Sequence, residues 1–79
     1  MNEQQYQPLN IIRLFEVAKR FGLAKSSTHD RILQGLIPPP ISLGGRAKGY
    51  VESEIDAVLK AMIAGKTEAE IKTLVLELV

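Results

Sequence analysis

Several kinds of site are excluded by residues that the sequence lacks. It contains no cysteine, so neither a disulfide framework nor a thiolate metal site can form. His29 is the only histidine, which removes paired-histidine zinc sites and argues against histidine-based catalysis. No pair of carboxylates is placed for acid–base work, and no nucleophile lies beside a base. The sequence therefore predicts a protein that is not an enzyme and needs no cofactor or metal.

Long apolar runs are missing as well. No stretch approaches the roughly 20 residues that a membrane-spanning helix needs, and the N-terminus lacks the apolar core of a signal peptide. At 79 residues, the chain is long enough for one small domain with a modest core. We therefore expect a soluble cytoplasmic protein without a membrane partner.

Charge is divided unevenly along the chain, although the net charge is only +1. Between Arg13 and Tyr50 there are seven basic and two acidic residues, whereas Val51 to Val79 holds three lysines and six acids. Such asymmetry indicates one surface that faces a polyanion and another that faces something else. The alternative is that charges of both signs merely alternate on solvated faces.

The N-terminal part of the chain predicts an arm followed by a first helix. Residues 1–10 are polar, and we expect a flexible arm there because little apolar surface offsets the entropy of ordering. Ile11 to Leu14 is expected to begin as an extended segment, although Asn10 would also suit as the cap of an earlier helix start. Gly22 supplies a left-handed helix end. The apolar stripe before it consists of Leu14, Val17, Ala18 and Phe21.

A second helix is predicted from Lys25 to Gln34. It opens with Lys25, Ser26 and Ser27, and small polar side chains at this position can approach a phosphate backbone or base edges. Its buried side should consist of Thr28, Ile32 and Leu36, with Leu33 and a packed, hydrogen-bonded His29 beside them.

A proline corner and a basic hairpin come next. Residues 38–40 are prolines, which cannot continue a helix and form a stiff extended corner; a ligand for an SH3-type domain is the alternative. Gly44 and Gly45 permit a hairpin turn, and Arg46 and Lys48 flank its tip. A phosphate-cradling loop is the alternative for these glycines, but it needs more of them and a helix at fixed spacing.

Two further helices complete the chain. Ser53 is predicted to cap the third, Gly65 ends it, and Thr67 with Glu70 forms a capping box that opens the fourth. The apolar stripes consist of Ile55, Val58, Leu59, Met62 and Ile63 in the third helix, and of Ile71, Leu74, Val75 and Leu78 in the fourth, where Leu76 and Val79 widen the face.

A short helix followed by a basic hairpin is the wiring of a winged helix-turn-helix, in which the helix enters the major groove and the hairpin lies beside it. We therefore predict a mainly α fold: a small winged helix-turn-helix over residues 11–64 with a short β-hairpin wing. An extra amphipathic helix over residues 65–79 should pack on the core or mediate self-association, as a homodimer.

A family resemblance rests on residues distributed over two thirds of the chain. These are Leu14, Glu16, Val17, Gly22, Leu23, Lys25, Ser26, Ile32, the proline corner, Leu43, Gly44, Arg46, Glu52, Ser53, Glu54, Ile55 and Ala57. In order and spacing, the span from about Arg13 to Ala64 resembles the AlpA family of phage and prophage regulators, relatives of MerR-type and excisionase winged-helix proteins. The resemblance implies site-specific binding to double-stranded DNA, in transcription regulation or in directing excision.

Eight residues form the predicted DNA-binding surface. The resemblance carries the recognition role onto Lys25, Ser26 and Ser27 and the wing role onto Arg46; the residues themselves add Asp30, Arg31, Gln34 and Lys48. Ala24 stands where the family usually has a serine cap, and His29 and Asp30 replace a tyrosine and a basic residue, so this chain is expected to read a different DNA sequence from its relatives or to grip more weakly. The alternative function is a protein-interaction module that inhibits a regulator by docking.

Overall fold

The computed structural model describes residues 9–79. Within that range the chain forms four helices and three short strands. In chain order these are β1 (Ile11–Ile12), α1 (Leu14–Phe21), α2 (Lys25–Leu33), β2 (Ile41–Gly44), β3 (Ala47–Val51), α3 (Glu52–Ile63) and α4 (Glu68–Leu78). The predicted mainly α winged helix-turn-helix with an extra C-terminal helix is confirmed. All but the last two residues of the predicted N-terminal arm lie outside the described residues.

A three-stranded antiparallel sheet anchors the wing to the body of the domain. The strand order is β1-β3-β2, so the hairpin strand β3 is the central one. Ile12 pairs with Tyr50 on one side, and Ile41 pairs with Gly49 on the other. Gly49 is needed because a Cβ there would collide with the side chain of Ile11 and lie 3.0 Å from Leu43 Cδ1. The hairpin is therefore held by its base, and its tip projects.

The predicted cap of the third helix is wrong. Helix α3 begins at Glu52, one residue before Ser53, and its N-cap Val51 has no side-chain acceptor. Strand β3 runs directly into α3, and the first helical amide, that of Glu52, donates to the Asn10 carbonyl over 2.9 Å. Sheet pairing thus supplies the partner that a serine would otherwise supply. Asn10 does not cap α1 either, since that helix begins after Arg13.

The capping box of the fourth helix is confirmed. The Thr67 hydroxyl accepts from the Glu70 amide at 3.2 Å, and the Thr67 amide donates to Glu70 Oε1 at 2.8 Å. Both bonds satisfy amides that would otherwise lack partners at the start of the helix. Unlike Ser53, Thr67 follows a turn with no adjacent strand, so the local pattern alone decides where the helix begins.

Two buried clusters form the core, and the half-buried Phe21 contacts both. The first joins α1, the loop before the wing, β3 and α3; it consists of Val17, Ile37, Tyr50 and Ile55. The second joins that loop, α3 and α4; it consists of Leu36, Val58, Ile71 and Val75. Thr28 is also fully buried, and its hydroxyl donates to the Ala24 carbonyl at 2.9 Å. The buried side predicted for α2 is confirmed at this residue.

Five side chains expected on or beside apolar faces are instead exposed; two of them, Leu76 and Val79, belong to the C-terminal stripe. Leu33 is 74% exposed and Ile63 is 80% exposed, and each is the last residue of its helix. His29 is exposed too, so the prediction that it is packed is wrong. These positions are free to contact something outside the domain.

Candidate nucleic-acid interface

A cleft between α2 and the wing brings basic residues of both elements together. Its volume is ≈ 700 Å³. Lys25 from α2 and Arg46 and Lys48 from the hairpin, all predicted site residues, line it. The cleft also contains Arg13, Leu14, Phe15, His29, Ile32, Leu33, Pro39, Pro40 and Tyr50. The two elements that a winged helix-turn-helix uses on DNA thus share one concave basic surface.

Local backbone chemistry sets the position of each wall. Gly22 adopts a φ of 69° and ends α1, so α2 can begin at Lys25 after a short turn. The N-cap of α2 is Ala24, which makes no side-chain capping bond. The first amides of α2 therefore point out without a side-chain acceptor, as an anion site would require. On the other wall, Gly44 and Gly45 have φ of 104° and 55°, and this turn carries Arg46 outward.

The remaining predicted residues of α2 lie on its other flank. Ser27, Asp30, Arg31 and Gln34 line a second groove of ≈ 300 Å³, together with Leu36 and Glu68. This groove faces the start of α4, and it contains two carboxylates and one guanidinium. Seven of the eight predicted residues therefore line one of two sites: Lys25, Arg46 and Lys48 line the cleft, whereas Ser27, Asp30, Arg31 and Gln34 line the second groove. Ser26 lines neither groove and is exposed.

An outward ridge separates the two grooves. Ser26, Asp30 and Leu33 follow one another at spacings of four and three residues, which places them on one line along the helix, and all three are exposed. Lys25 and His29 flank this ridge on the wing side, whereas Ser27 and Arg31 flank it on the α4 side. The ridge is therefore the part of α2 that would project farthest into a groove of DNA.

Nine residues that line the cleft were not predicted as site residues, among them Arg13, Phe15, His29 and Leu33. Arg13 is the N-cap of α1, and only the fold brings it opposite the wing. Phe15 lies off the buried stripe of α1 and is 66% exposed; its position off the stripe was the available signal. His29 and Leu33 were placed beside the apolar side, but they follow Thr28 by one and five residues, a spacing that turns both away from the buried side of a helix.

Arg20 does not belong to the free basic surface. Its Nε donates to Glu16 Oε2 at 3.1 Å, its Nη2 to Glu52 Oε2 at 2.6 Å and its Nη1 to Asp56 Oδ1 at 3.2 Å. Asn10 Nδ2 also donates to Glu52, at 3.0 Å. The three contacts of Arg20 with Glu16, Glu52 and Asp56 are the ion pairs found among residues 9–79. Arg20 therefore ties α1 to α3 and is neutralised by acids of both helices.

Stability is expected to fall in acid through this network. The Arg20 guanidinium, and secondarily Asn10, hold the pKa of Glu52 below its ordinary value of 4.5. A carboxyl with a lowered pKa in the folded state stabilises the fold above pH 4.5, and this contribution is lost as pH falls through the lowered pKa. Melting temperatures measured from pH 7 down to pH 2 should therefore decline below about pH 4.5, the unperturbed value.

A Glu52→Gln variant supplies the control for this measurement. It should melt lower than wild type at pH 7 and show a shallower decline in acid. Some decline should persist, because hydrogen bonds to Thr67 lower the pKa of Glu70 as well. Parallel curves for wild type and variant would show that the Arg20 network does not couple folding to protons.

Metal and membrane sites receive no support from the described part of the chain. Among residues 9–79, no three histidine, cysteine, aspartate or glutamate side chains are grouped so that they could hold a metal ion. None of the helices there has the length and apolarity required to cross a membrane.

The fold and the cleft define a small winged helix-turn-helix with a basic face. The family model described as "Prophage CP4-57 regulatory protein (AlpA)" matches residues 10–61. The chain therefore belongs to the AlpA family of phage regulatory proteins. It is also 36% identical over 55 residues to "Uncharacterized protein ORF88" of Enterobacteria phage P4. That match covers 70% of this chain and 62% of the relative, so the relative extends well beyond the shared part. No solved structure matches the chain significantly.

Proposed function

We propose that this protein is a sequence-specific regulator that binds double-stranded DNA in the cytoplasm, as a prophage transcription regulator or an excisionase-like directionality factor. The observation that carries the proposal is the meeting of Lys25, Arg46 and Lys48, from α2 and the wing, around one cleft. Clustered cations on one concave face are the electrostatic footprint of a nucleic-acid-binding protein. Membership of a phage regulatory family supports the same conclusion.

In this mechanism α2 enters the major groove and the wing contacts the adjacent backbone. Lys25 and the uncapped first amides of α2 bind phosphates at the groove edge. Arg46 at the wing tip, whose planar guanidinium can fork onto a phosphate or enter a narrow minor groove, fixes the register of the protein on the duplex. Arg13 adds a further positive charge to the same cleft.

Base reading in this mechanism belongs to the outward ridge and the α4-side groove. Ser26 and Ser27 are small enough to reach either base edges or phosphates. Arg31 and Gln34 can make bidentate bonds to guanine and adenine, respectively. Asp30 would repel a phosphate, but its carboxylate can accept from a cytosine amino group.

The acidic surface of α4 supports a second candidate, a docking module. A shallow groove of ≈ 290 Å³ there is lined by Ala69, Glu70, Thr73, Leu74 and Glu77. A basic partner protein would suit that surface, whereas a homodimer through the C-terminal region would use the exposed apolar side chains of Leu76 and Val79. The docking function predicts protein binding without retention on DNA.

Selection of bound sequences from a random duplex library, followed by a salt titration, tests the proposal. DNA binding requires that a common sequence be enriched and that affinity fall linearly on a plot of log affinity against log salt, since each phosphate contact releases counterions. Docking alone predicts neither enrichment nor a salt slope. Either missing result would therefore reject sequence-specific DNA binding.

Replacing Arg46 by alanine should weaken binding to specific and random duplexes alike. One lost phosphate contact should flatten the slope of log affinity against log salt by about one unit. If the guanidinium enters the minor groove, the loss should be larger on A·T-rich flanks, where that groove is narrow. The measurement is a salt titration on two duplexes that differ only in their flanks.

Lys66→Ala is the matched control for Arg46→Ala. It also removes one exposed positive charge, but from the turn between α3 and α4, away from the cleft. It should leave the slope nearly unchanged. Superimposable curves for Arg46→Ala and wild type on both duplexes would remove the wing from the binding surface.

A further inference from the structure

The basic cleft also contains two large apolar side chains that the core does not use. Phe15 is 66% exposed and Leu33 is 74% exposed, and both line the cleft with Lys25, Arg46 and Lys48. Neither belongs to the two buried clusters or to the half-buried residues packed against them. In the DNA complex proposed above, these two side chains are available to contact an apolar group of the ligand.

Both side chains lie on the cleft surface and point away from the protein interior. Leu33 continues the outward ridge of α2, seven residues after Ser26 and three after Asp30, which aligns the three along one line of the helix. Phe15 follows Leu14 in α1 and points away from the stripe that buries Val17. The helices that carry them, α1 and α2, pack against each other.

The chemistry of the major groove contains one apolar group. Phosphates, sugars and the base edges of guanine, cytosine and adenine offer charges, donors and acceptors, whereas thymine alone offers a methyl group there. The side chains of leucine and phenylalanine cannot make hydrogen bonds, but they can make apolar contact with such a methyl group.

We propose that Phe15 and Leu33 form an apolar patch that recognises the 5-methyl group of thymine in the DNA site. This inference depends on the proposed function and names a specificity determinant within it. The four cations of the same cleft, Arg13, Lys25, Arg46 and Lys48, favour a polyanion over an apolar protein partner. The DNA site should accordingly contain at least one thymine whose methyl group, and not only its hydrogen-bonding edge, is required.

A deoxyuridine scan of the selected duplex tests the patch. Replacing thymine by deoxyuridine removes the methyl group and leaves every hydrogen-bonding group in place. At one or more positions this change should weaken wild-type binding by about fourfold, the effect of one buried methyl group. The same change should have no effect at that position on Leu33→Ala or on Phe15→Ala, because the contact is already lost.

Ile63→Ala is the matched control for the scan. Ile63 is 80% exposed at the end of α3, and it does not line the cleft. This variant should show the wild-type response to deoxyuridine. The inference is overturned if no thymine methyl matters to wild type, or if both cleft variants keep the full wild-type response.

The outcome separates this inference from the proposed function. Enrichment of a sequence and a salt slope, without any response to deoxyuridine, would leave DNA binding intact and reject the patch. Failure to enrich any sequence would reject the proposed function, and the inference with it. If Phe15 and Leu33 contact a protein partner instead of DNA, no DNA sequence should be enriched, and binding of that partner should require Leu33.

Discussion

Ending the chain at Gly65 is expected to lower the melting temperature by more than about 10 °C. The deletion removes α4, whose Ile71 and Val75 are 3% and 4% exposed. It also uncovers Leu36 and Val58, which those two side chains bury. Burial of each such side chain contributes about 1.5–3 kcal/mol, so uncovering Leu36 and Val58 alone costs about 3–6 kcal/mol. A chain of 79 residues has only about 4–12 kcal/mol of stability in all.

Thermal and urea unfolding of the full chain and the truncated chain measure this effect. The Ile71→Ala variant separates packing from deletion, and it should cost about 2–5 kcal/mol. Leu76→Ala, on the exposed side of the same helix, should unfold as wild type does. A truncated chain with the melting temperature of the full chain would show that α4 does not complete the core.

Sedimentation of the same proteins tests self-association through α4. Ile71 and Val75 of α4 are buried in the core of the same protomer. The largely exposed apolar side chains of this region are Leu76 and the C-terminal Val79. If α4 joins two copies, the truncated chain should sediment as a monomer where the full chain sediments as a dimer. Unchanged sedimentation together with an unchanged melting temperature would contradict both roles predicted for this helix.

Helices whose ends are decided by local chemistry could be predicted from the sequence. Gly22 ends α1 with a left-handed φ of 69°, and the capping box of Thr67 and Glu70 opens α4. The start of α3 could not be predicted in this way. There a backbone carbonyl of Asn10, 42 residues earlier, accepts from Glu52, and a contact so distant in sequence leaves no trace in the spacing of nearby residues.

The candidate site was predictable in composition but not in arrangement. Basic residues at the start of α2 and at the hairpin tip are visible in the sequence, and Lys25, Arg46 and Lys48 do share a cleft. The charge count also included Arg20, which is neutralised by three acids. Arg13 enters the cleft only because α1 packs beside α2. Which charged side chains form ion pairs, and which lie in the cleft, depends on tertiary packing. Counting charges along the sequence therefore cannot distinguish free charges from paired ones.

The largest effect on DNA binding is expected from removing the cleft cations Lys25, Arg46 and Lys48. Among residues 9–79 none of the three forms an ion pair. Replacing Lys25, Arg46 and Lys48 together by alanine should flatten the slope of log affinity against log salt by about three units, one for each phosphate contact. At 50 mM salt the affinity should fall by roughly 3,000- to 8,000-fold, and the curves of variant and wild type should converge near 1 M, where counterion release no longer contributes. Far-ultraviolet circular dichroism should be unchanged, because all three side chains are exposed.

Net charge alone predicts a different result, which a second triple variant can detect. Replacing Lys60, Lys66 and Lys72 by alanine removes the same three charges from the acidic half of the chain, and these lysines are exposed as well. Long-range attraction between a more acidic protein and DNA should weaken only slightly, since charges farther away than a Debye length of about 8 Å are screened at physiological salt. The slope of the first variant should therefore be flatter by about three units, while the second variant keeps nearly the wild-type slope. If both triples weaken binding equally, the DNA responds to total charge, and the cleft between α2 and the wing is not where the phosphates bind.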